Sequence, residues 1–249
     1  MTTAVTRALV LASTLALAVP LPSEASARNP VDLRATPTLT GARLRITVKH
    51  PGGVGTVRRF ATIHERVMHL FVVGDGLDFF AHEYPVQQPD GVFMVDLTLP
   101  RPGPYMAVVE FLPEGGTPQS VQQAFTTGGA FGRIARPATD TAAQIVDGMR
   151  VTLDASSAKA GALQPLTVRI EDAATGSPIA DLEPHLGAAA HMFLVPPDLT
   201  ELIHTHPPGG DGPSIVVRPL IPRGGVYKVW IRFQRGGQVS TATFVIDVP

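Results

Sequence analysis

One segment of this chain occurs twice. His69, Phe71, Val73, Leu77, His82 and Pro85 recur as His191, Phe193, Val195, Leu199, His204 and Pro207, always 122 residues later. The offset persists through Val95/Val217, Pro100/Pro222, Arg101/Arg223, Gly103/Gly225, Tyr105/Tyr227 and Phe111/Phe233, giving 12 identities in 43 ungapped positions. Unrelated segments of ordinary composition share roughly two or three. An internal repeat of this kind makes the fold a duplication, each copy a unit with its own core. About 220 residues remain once the leader described below is set aside, and at about 100–150 residues per domain that is two domains.

The elements within each copy read as strands. Gly and Pro, 24 of each, fall in short clusters that bound runs rich in Val, Thr, Ile and Phe, and no long stretch has helical period. The second copy divides into seven strands: 150–154, 166–171, 189–195, 201–205, 214–220, 226–234 and 238–248. Gly236-Gly237 forms the last hairpin turn. The first copy gives strands at 32–36, 44–49, 67–73, 79–82, 91–99, 105–112 and 121–125. Gly103-Pro104-Tyr105 and Gly225-Val226-Tyr227 open the penultimate strands. A tyrosine placed there resembles the tyrosine corner of immunoglobulin-like sandwiches, its ring in the core and its hydroxyl capping backbone. The expected fold is all-β, two tandem immunoglobulin-like or cupredoxin-like β-sandwiches. The expected domains are a signal peptide at 1–27, a first sandwich at 28–125, a linker at 126–148 with a helical turn at 142–146, and a second sandwich at 149–249.

Residues 8–22 form an apolar run, followed by Ala25-Ser26-Ala27, a small-x-small cleavage site. This predicts a secretory signal peptide cleaved near Ala27, hence a periplasmic or secreted protein without stable membrane insertion; a non-cleaved anchor is the alternative. The chain has no cysteine, which excludes disulfides, thiolate metal sites and a cysteine nucleophile. A net charge of −1 with no basic run argues against nucleic acid as a partner.

Chemistry concentrates in the eight histidines. The second copy carries His185, His191, His204 and His206. The first carries His64, His69 and His82, with Tyr84 where His206 would fall, and His50 lies in a turn. Centring a hairpin on 196–198 sets Phe193 opposite His204 and His191 opposite His206, so His191, His204 and His206 share one sheet face. Three imidazoles there form a plausible copper or zinc ligand set. The competing reading has each histidine bonded to backbone and kept for packing. Met68 and Met192 flank His69 and His191 and are expected in the core. Glu65, Glu83, Glu183 and Asp198 read as solvated or capping residues. No Gly-x-Ser-x-Gly elbow or phosphate loop occurs, and His204-Thr205-His206 lacks the glutamate of a cupin motif, so an enzyme is not expected.

His64-Glu65-Arg66-Val67-Met68-His69-Leu70-Phe71-Val72-Val73, Phe80-Ala81-His82-Glu83-Tyr84-Pro85 and His204-Thr205-His206-Pro207 together resemble bacterial exported proteins with tandem YtkA-like and FixH-like domains. That resemblance spans about residues 30–249 and implies an immunoglobulin- or cupredoxin-like sandwich and periplasmic handling of metal, copper above all. The expectation is a non-catalytic copper- or zinc-binding protein for sequestration or delivery. Its candidate ligands are His191, His204, His206, His69, His82 and His64, and its partners are a metal ion and an exported or membrane protein. The alternative is a tandem β-sandwich interaction module for a protein or cell-wall partner, with structural histidines.

Overall fold

The structure is a computed structural model that describes residues 28–128, 137–207 and 214–249. The leader, the middle of the linker and the glycine-rich segment after Pro207 lie outside the described residues. The fold is all-β, two sandwiches related by the duplication. Among the described residues no helix is long and apolar enough to cross a membrane.

The first module contributes β1 (Val31–Thr38), β2 (Gly41–Val48), β3 (Phe60–Ala61), β4 (Met68–Gly74), β5 (Phe80–Glu83), β6 (Val86–Gln87), β7 (Phe93–Thr98), β8 (Pro104–Pro113) and β9 (Gln119–Thr126). One sheet runs β1-β2-β7-β6; in the other, β5 pairs β4, β4 pairs β8, and β3 and β9 both pair β8. The second module contributes β10 (Gln144–Val146), β11 (Met149–Asp154), β12 (Leu166–Asp172), β13 (Ala190–Val195), β14 (Ile203–Thr205), β15 (Ser214–Val217), β16 (Gly225–Arg235) and β17 (Gln238–Val248). Its sheets run β10-β11-β12-β15 and β14-β13-β16-β17. All fourteen strands expected from the sequence are present. The helical turn expected at 142–146 is not: Gln144–Val146 is β10, paired antiparallel with β11 through the turn at Asp147-Gly148. Both turn residues have positive φ (48° and 76°), the backbone of a two-residue hairpin turn that no helix accommodates.

Alternation places the cores. Met68, Leu70 and Val72 of β4 and Tyr105, Ala107, Val109 and Phe111 of β8 face β2 and β7 inside the first sandwich. Met192 and Leu194 of β13 and Tyr227, Val229, Ile231 and Phe233 of β16 do the same in the second. Both flanking methionines are therefore core residues. The opposite faces of these strands are also apolar. Phe71, Val73, Met106 and Val108 of the first module form a third buried cluster with Phe193, Val195 and Trp230 of the second. The two modules thus pack sheet face against sheet face, four layers deep. Every residue of β4 and β13 is consequently buried, as in strands covered on both sides.

The tyrosine corners are in place. The Tyr105 hydroxyl donates to the Arg101 carbonyl at 2.5 Å, and the Tyr227 hydroxyl lies 3.0 Å from the Arg223 carbonyl. Both arginines also brace the hairpin that follows the histidine strand: Arg101 pairs with Asp75 and Arg223 with Asp198, at 2.7 and 2.8 Å.

Candidate functional site: a histidine network between the modules

The hairpin registers follow the expected turn centring. Phe71 pairs with His82 across β4 and β5, and Phe193 with His204 across β13 and β14. His69 and His191 lie two residues before these phenylalanines, on the same strand faces. All four histidines therefore point into the space between the modules, where Phe71 and Phe193 meet with ring centroids 5.0 Å apart.

The two halves repeat the same bonds. His69 Nδ1 lies 2.9 Å from His82 Nε2, and His191 Nδ1 lies 3.0 Å from His204 Nε2. His69 Nε2 lies 2.9 Å from the Ile63 carbonyl, and His191 Nε2 lies 2.8 Å from the His185 carbonyl. A carbonyl only accepts, so His69 and His191 donate through Nε2 and, when neutral, accept at Nδ1. His82 and His204 must then donate from Nε2, which leaves the Nδ1 of each to face the other module.

There the repeat diverges. His204 Nδ1 lies 3.1 Å from Glu110 Oε2 of the first module. A bare nitrogen and a carboxylate oxygen cannot bond without a proton between them, so this contact holds one, as an imidazolium–carboxylate pair or its neutral equivalent. The repeat equivalent of Glu110 is Arg232, and it lies on the His82 side. His82 Nδ1 and Arg232 Nε are both buried without a hydrogen-bond partner among the described residues. Sequence reasoning passed over Glu110 and Arg232 because they are not identities of the repeat. The available signal was a charge on an otherwise apolar strand face, at the same position in both copies.

Electrostatics follow burial. Burial chiefly pushes His82 far below the ordinary histidine value, helped by the Arg232 charge. Burial also lowers His191, to about 3, against the bond to the His185 carbonyl. His69 is lowered for the same first reason.

His64 and His206 stand at the mouth of the network with ring centroids 4.8 Å apart. His64 belongs to the first module, in the left-handed position (φ 45°) of the turn that supplies the Ile63 carbonyl. His206 follows β14 of the second. Neither ring makes a hydrogen bond among the described residues. Burial, then the His206 and His204 charges, lowers His64. The structure thus brings His191, His204 and His206 together, with centroid spacings of 5.3, 5.7 and 6.0 Å, and adds His64. A metal at His191 would have to break one of its two hydrogen bonds, because neither nitrogen is spare. Among the described residues, no three His, Asp or Glu side chains are arranged to hold a metal ion. His69 and His82 lie on the first-module side, while Tyr84 packs against His82 with ring centroids 5.0 Å apart. His50 is exposed in its turn. Of the acids, Asp198 is paired with Arg223 and Glu183 accepts from Gln234 and the Gly237 amide.

Residues 143–249 match a family model described as Domain of unknown function (DUF8832). The resemblance to YtkA-like and FixH-like modules accordingly rests on the quoted motifs alone. No curated protein matches the chain. Similar solved structures include a tetra-tandem repeat in the extending region of a large adhesion protein, at 10% identity and TM-score 0.30, covering 88% of this chain and 49% of that one. This chain therefore spans about half of that structure's length. A two-domain fibronectin type-III segment of chicken tenascin matches at 14% identity and TM-score 0.24, covering 88% and 99%. The FN1–FN3 domains of chicken CNTN1 match at 12% identity and TM-score 0.23, covering 87% and 65%. TM-scores of this size say nothing of ligands or partners.

Proposed function

We propose that this chain is an exported, non-catalytic interaction protein: two β-sandwiches packed face to face through a shared apolar cluster and the His204–Glu110 contact, with loop ends and strand edges left for a protein or cell-wall partner. The observation that supports this most is the bonding of His69 and His191. Each has both ring nitrogens engaged inside the protein. Histidines bonded this way are fixed within their own module at the face it buries, and neither offers a metal a spare nitrogen. Recognition then falls to the periphery, as is usual for loops on a rigid β-scaffold. A cleft of about 590 Å³ opens at one end of the first sandwich, between the 50–59 segment and the 113–119 turn. Val54, in the same segment, is 80% exposed, and Leu39 at the tip of the β1–β2 hairpin is fully exposed.

One observation favours a second reading. His64 and His206 are adjacent and unbonded among the described residues, and they come from different modules. A copper or zinc ion held there would sequester metal and clamp the modules at once. The residues fit as a two-imidazole site with the remaining positions open, which is a weaker set than three histidines.

Calorimetric titration of the intact protein with Cu²⁺ and with Zn²⁺, repeated on His64→Ala and His206→Ala, separates the two. The first reading expects no stoichiometric binding. One equivalent bound by the parent and lost in both variants would overturn it in favour of metal sequestration.

A further inference from the structure

The contacts between the modules occur in exchanged pairs. Phe71 and Phe193 are repeat equivalents and meet each other. Each also meets the histidine paired with the other: Phe71 lies 5.1 Å from His204, and Phe193 lies 5.7 Å from His82, between ring centroids. The apolar cluster at the junction is likewise built of equivalents, with Val73/Val195, Leu77/Leu199, Phe80/Leu202 and Val108/Trp230 all belonging to it. An interface whose contacts recur with the two partners exchanged is isologous, the form in which two copies of one subunit dock on each other. The repeat also keeps this face more closely than the core beneath it. Along β4 and β13 the residues at the junction are identical: His69/His191, Phe71/Phe193 and Val73/Val195. Those facing inward all differ: Met68/Ala190, Leu70/Met192 and Val72/Leu194. A core tolerates apolar swaps of similar volume, whereas a face that docks on its own kind constrains both partners at once.

The face residues of β8 and β16 differ, and they decide which module meets which. A pair of first modules, or of second modules, would lack the Glu110–His204 contact. A first module therefore takes a second module, from its own chain or from another. Nothing in the sheets ties the choice to one chain. Among the described residues no strand of one module pairs with a strand of the other. Each end of the linker is fastened to its own module, Thr127 to Gly103 and Asp140 to Val245. The modules thus part as whole units, without breaking a sheet. We propose that a second copy of this chain is the partner this face accepts: two chains exchange modules, the first of each docking on the second of the other, into a closed dimer with two junctions. The proposal rests on the docked interface of the reading above. Every junction contact survives the exchange, so concentration sets the balance. A flexible linker holds its modules at an effective concentration of about millimolar, and exchange between chains competes near that value.

The chain has no cysteine, so introduced thiols report the pairing. His64 and His206 meet across the junction. Full chains carrying His64→Cys and full chains carrying His206→Cys are unfolded together, refolded at about millimolar concentration and treated with a short bismaleimide. A cross-linked dimer is expected from the mixture, several-fold more than from either variant alone, because in a dimer of one variant each new thiol faces a histidine. Both substitutions in one chain should cross-link within the monomer. Should the histidine variants not fold, Gln122→Cys with Leu199→Cys repeats the test where Gln122 donates to the Leu199 carbonyl at 2.7 Å. The single tryptophan, Trp230, is 4% exposed in the module interface and reports docking by its emission. Cross-linking within the doubly substituted chain, with no dimer from the mixture, overturns the exchange and leaves the interaction reading standing. Dimer in equal amount from either variant alone overturns it too. Solvent-exposed Trp230 emission in the native protein would instead overturn the docked interface on which both rest.

Discussion

Glu110 and Arg232 occupy the same position of the duplicated fold, 122 residues apart, and each sits on the side of a histidine from the opposite module. Glu110 contacts His204 directly, and Arg232 lowers His82 through its charge. Within their own sheets they are cross-strand neighbours of His69 and His191. A perfect duplication would place like charges at both positions. The acid–base divergence makes the two faces complementary and not merely identical. Glu110→Arg should therefore disrupt docking: it leaves a buried guanidinium against His204, and breaking a buried pair costs about 3–5 kcal/mol. Chemical denaturation followed by Trp230 emission checks it. A midpoint within error of the parent would mean that the faces do not depend on this charge.

Stability should fall on mild acidification. His191 titrates at about 3 in the folded chain, and burial lowers His69 and His82 as well. An unfolded histidine titrates near ~6.5. Below that value the unfolded chain takes up protons that the folded chain refuses. The stabilisation is thus complete above about pH 6.5 and is lost as pH falls toward about 3, at up to about 1.4 kcal/mol per pH unit for each such histidine. Urea midpoints at about pH 7.5 and about pH 5.5 should differ, the lower pH being less stable. A flat profile would place these imidazoles in solvent.

Gly187 and Glu65 are equivalent residues in the left-handed region, with φ of 79° and 64°. They follow the residues that supply the carbonyls for His191 and His69. A Cβ on Gly187 would meet nothing within 4 Å. Gly187→Ala therefore isolates the backbone cost of a left-handed residue and should destabilise the protein by about 1 kcal/mol. Thermal unfolding reads this directly, and an unchanged midpoint would indicate that the turn relaxes without strain.

Tyr227→Phe removes one hydroxyl that contacts both the Arg223 carbonyl and Glu201 Oε1. Burial, then the Glu201 carboxylate, pushes its pKa up to about 12. The loss should be about 1–3 kcal/mol, with a smaller loss for Tyr105→Phe, whose hydroxyl has the Arg101 carbonyl as its only partner among the described residues. Equal, negligible effects would remove the corner from the account of stability.

The repeat and the turn residues made the sandwiches legible, because strand period and Gly/Pro punctuation are local. The registers Phe71–His82 and Phe193–His204 were legible for the same reason: hairpin pairing follows from where the turn is centred. The docking of the modules was not read, although Met68–Val73 and Ala190–Val195 carry its mark. A run apolar on both faces must be covered on both faces. What covers it is a long-range matter, and residues such as Glu110, Arg232 and Trp230 acquire meaning only when the second sheet is laid on the first. Short strands such as Phe60–Ala61 and Gln144–Val146 escaped notice because two or three residues carry no period.

The histidine-bearing faces of the two modules are docked on each other, and His204 reaches Glu110 across the junction. The most direct test is a double-mutant cycle on Glu110 and His204 in the full chain, with stabilities from denaturation monitored at Trp230. Glu110→Ala, His204→Ala and the double variant should show a coupling energy of about 1–3 kcal/mol, as expected for a charge-assisted contact across a buried interface. Strictly additive losses would contradict the account, since they would mean that Glu110 and His204 do not meet.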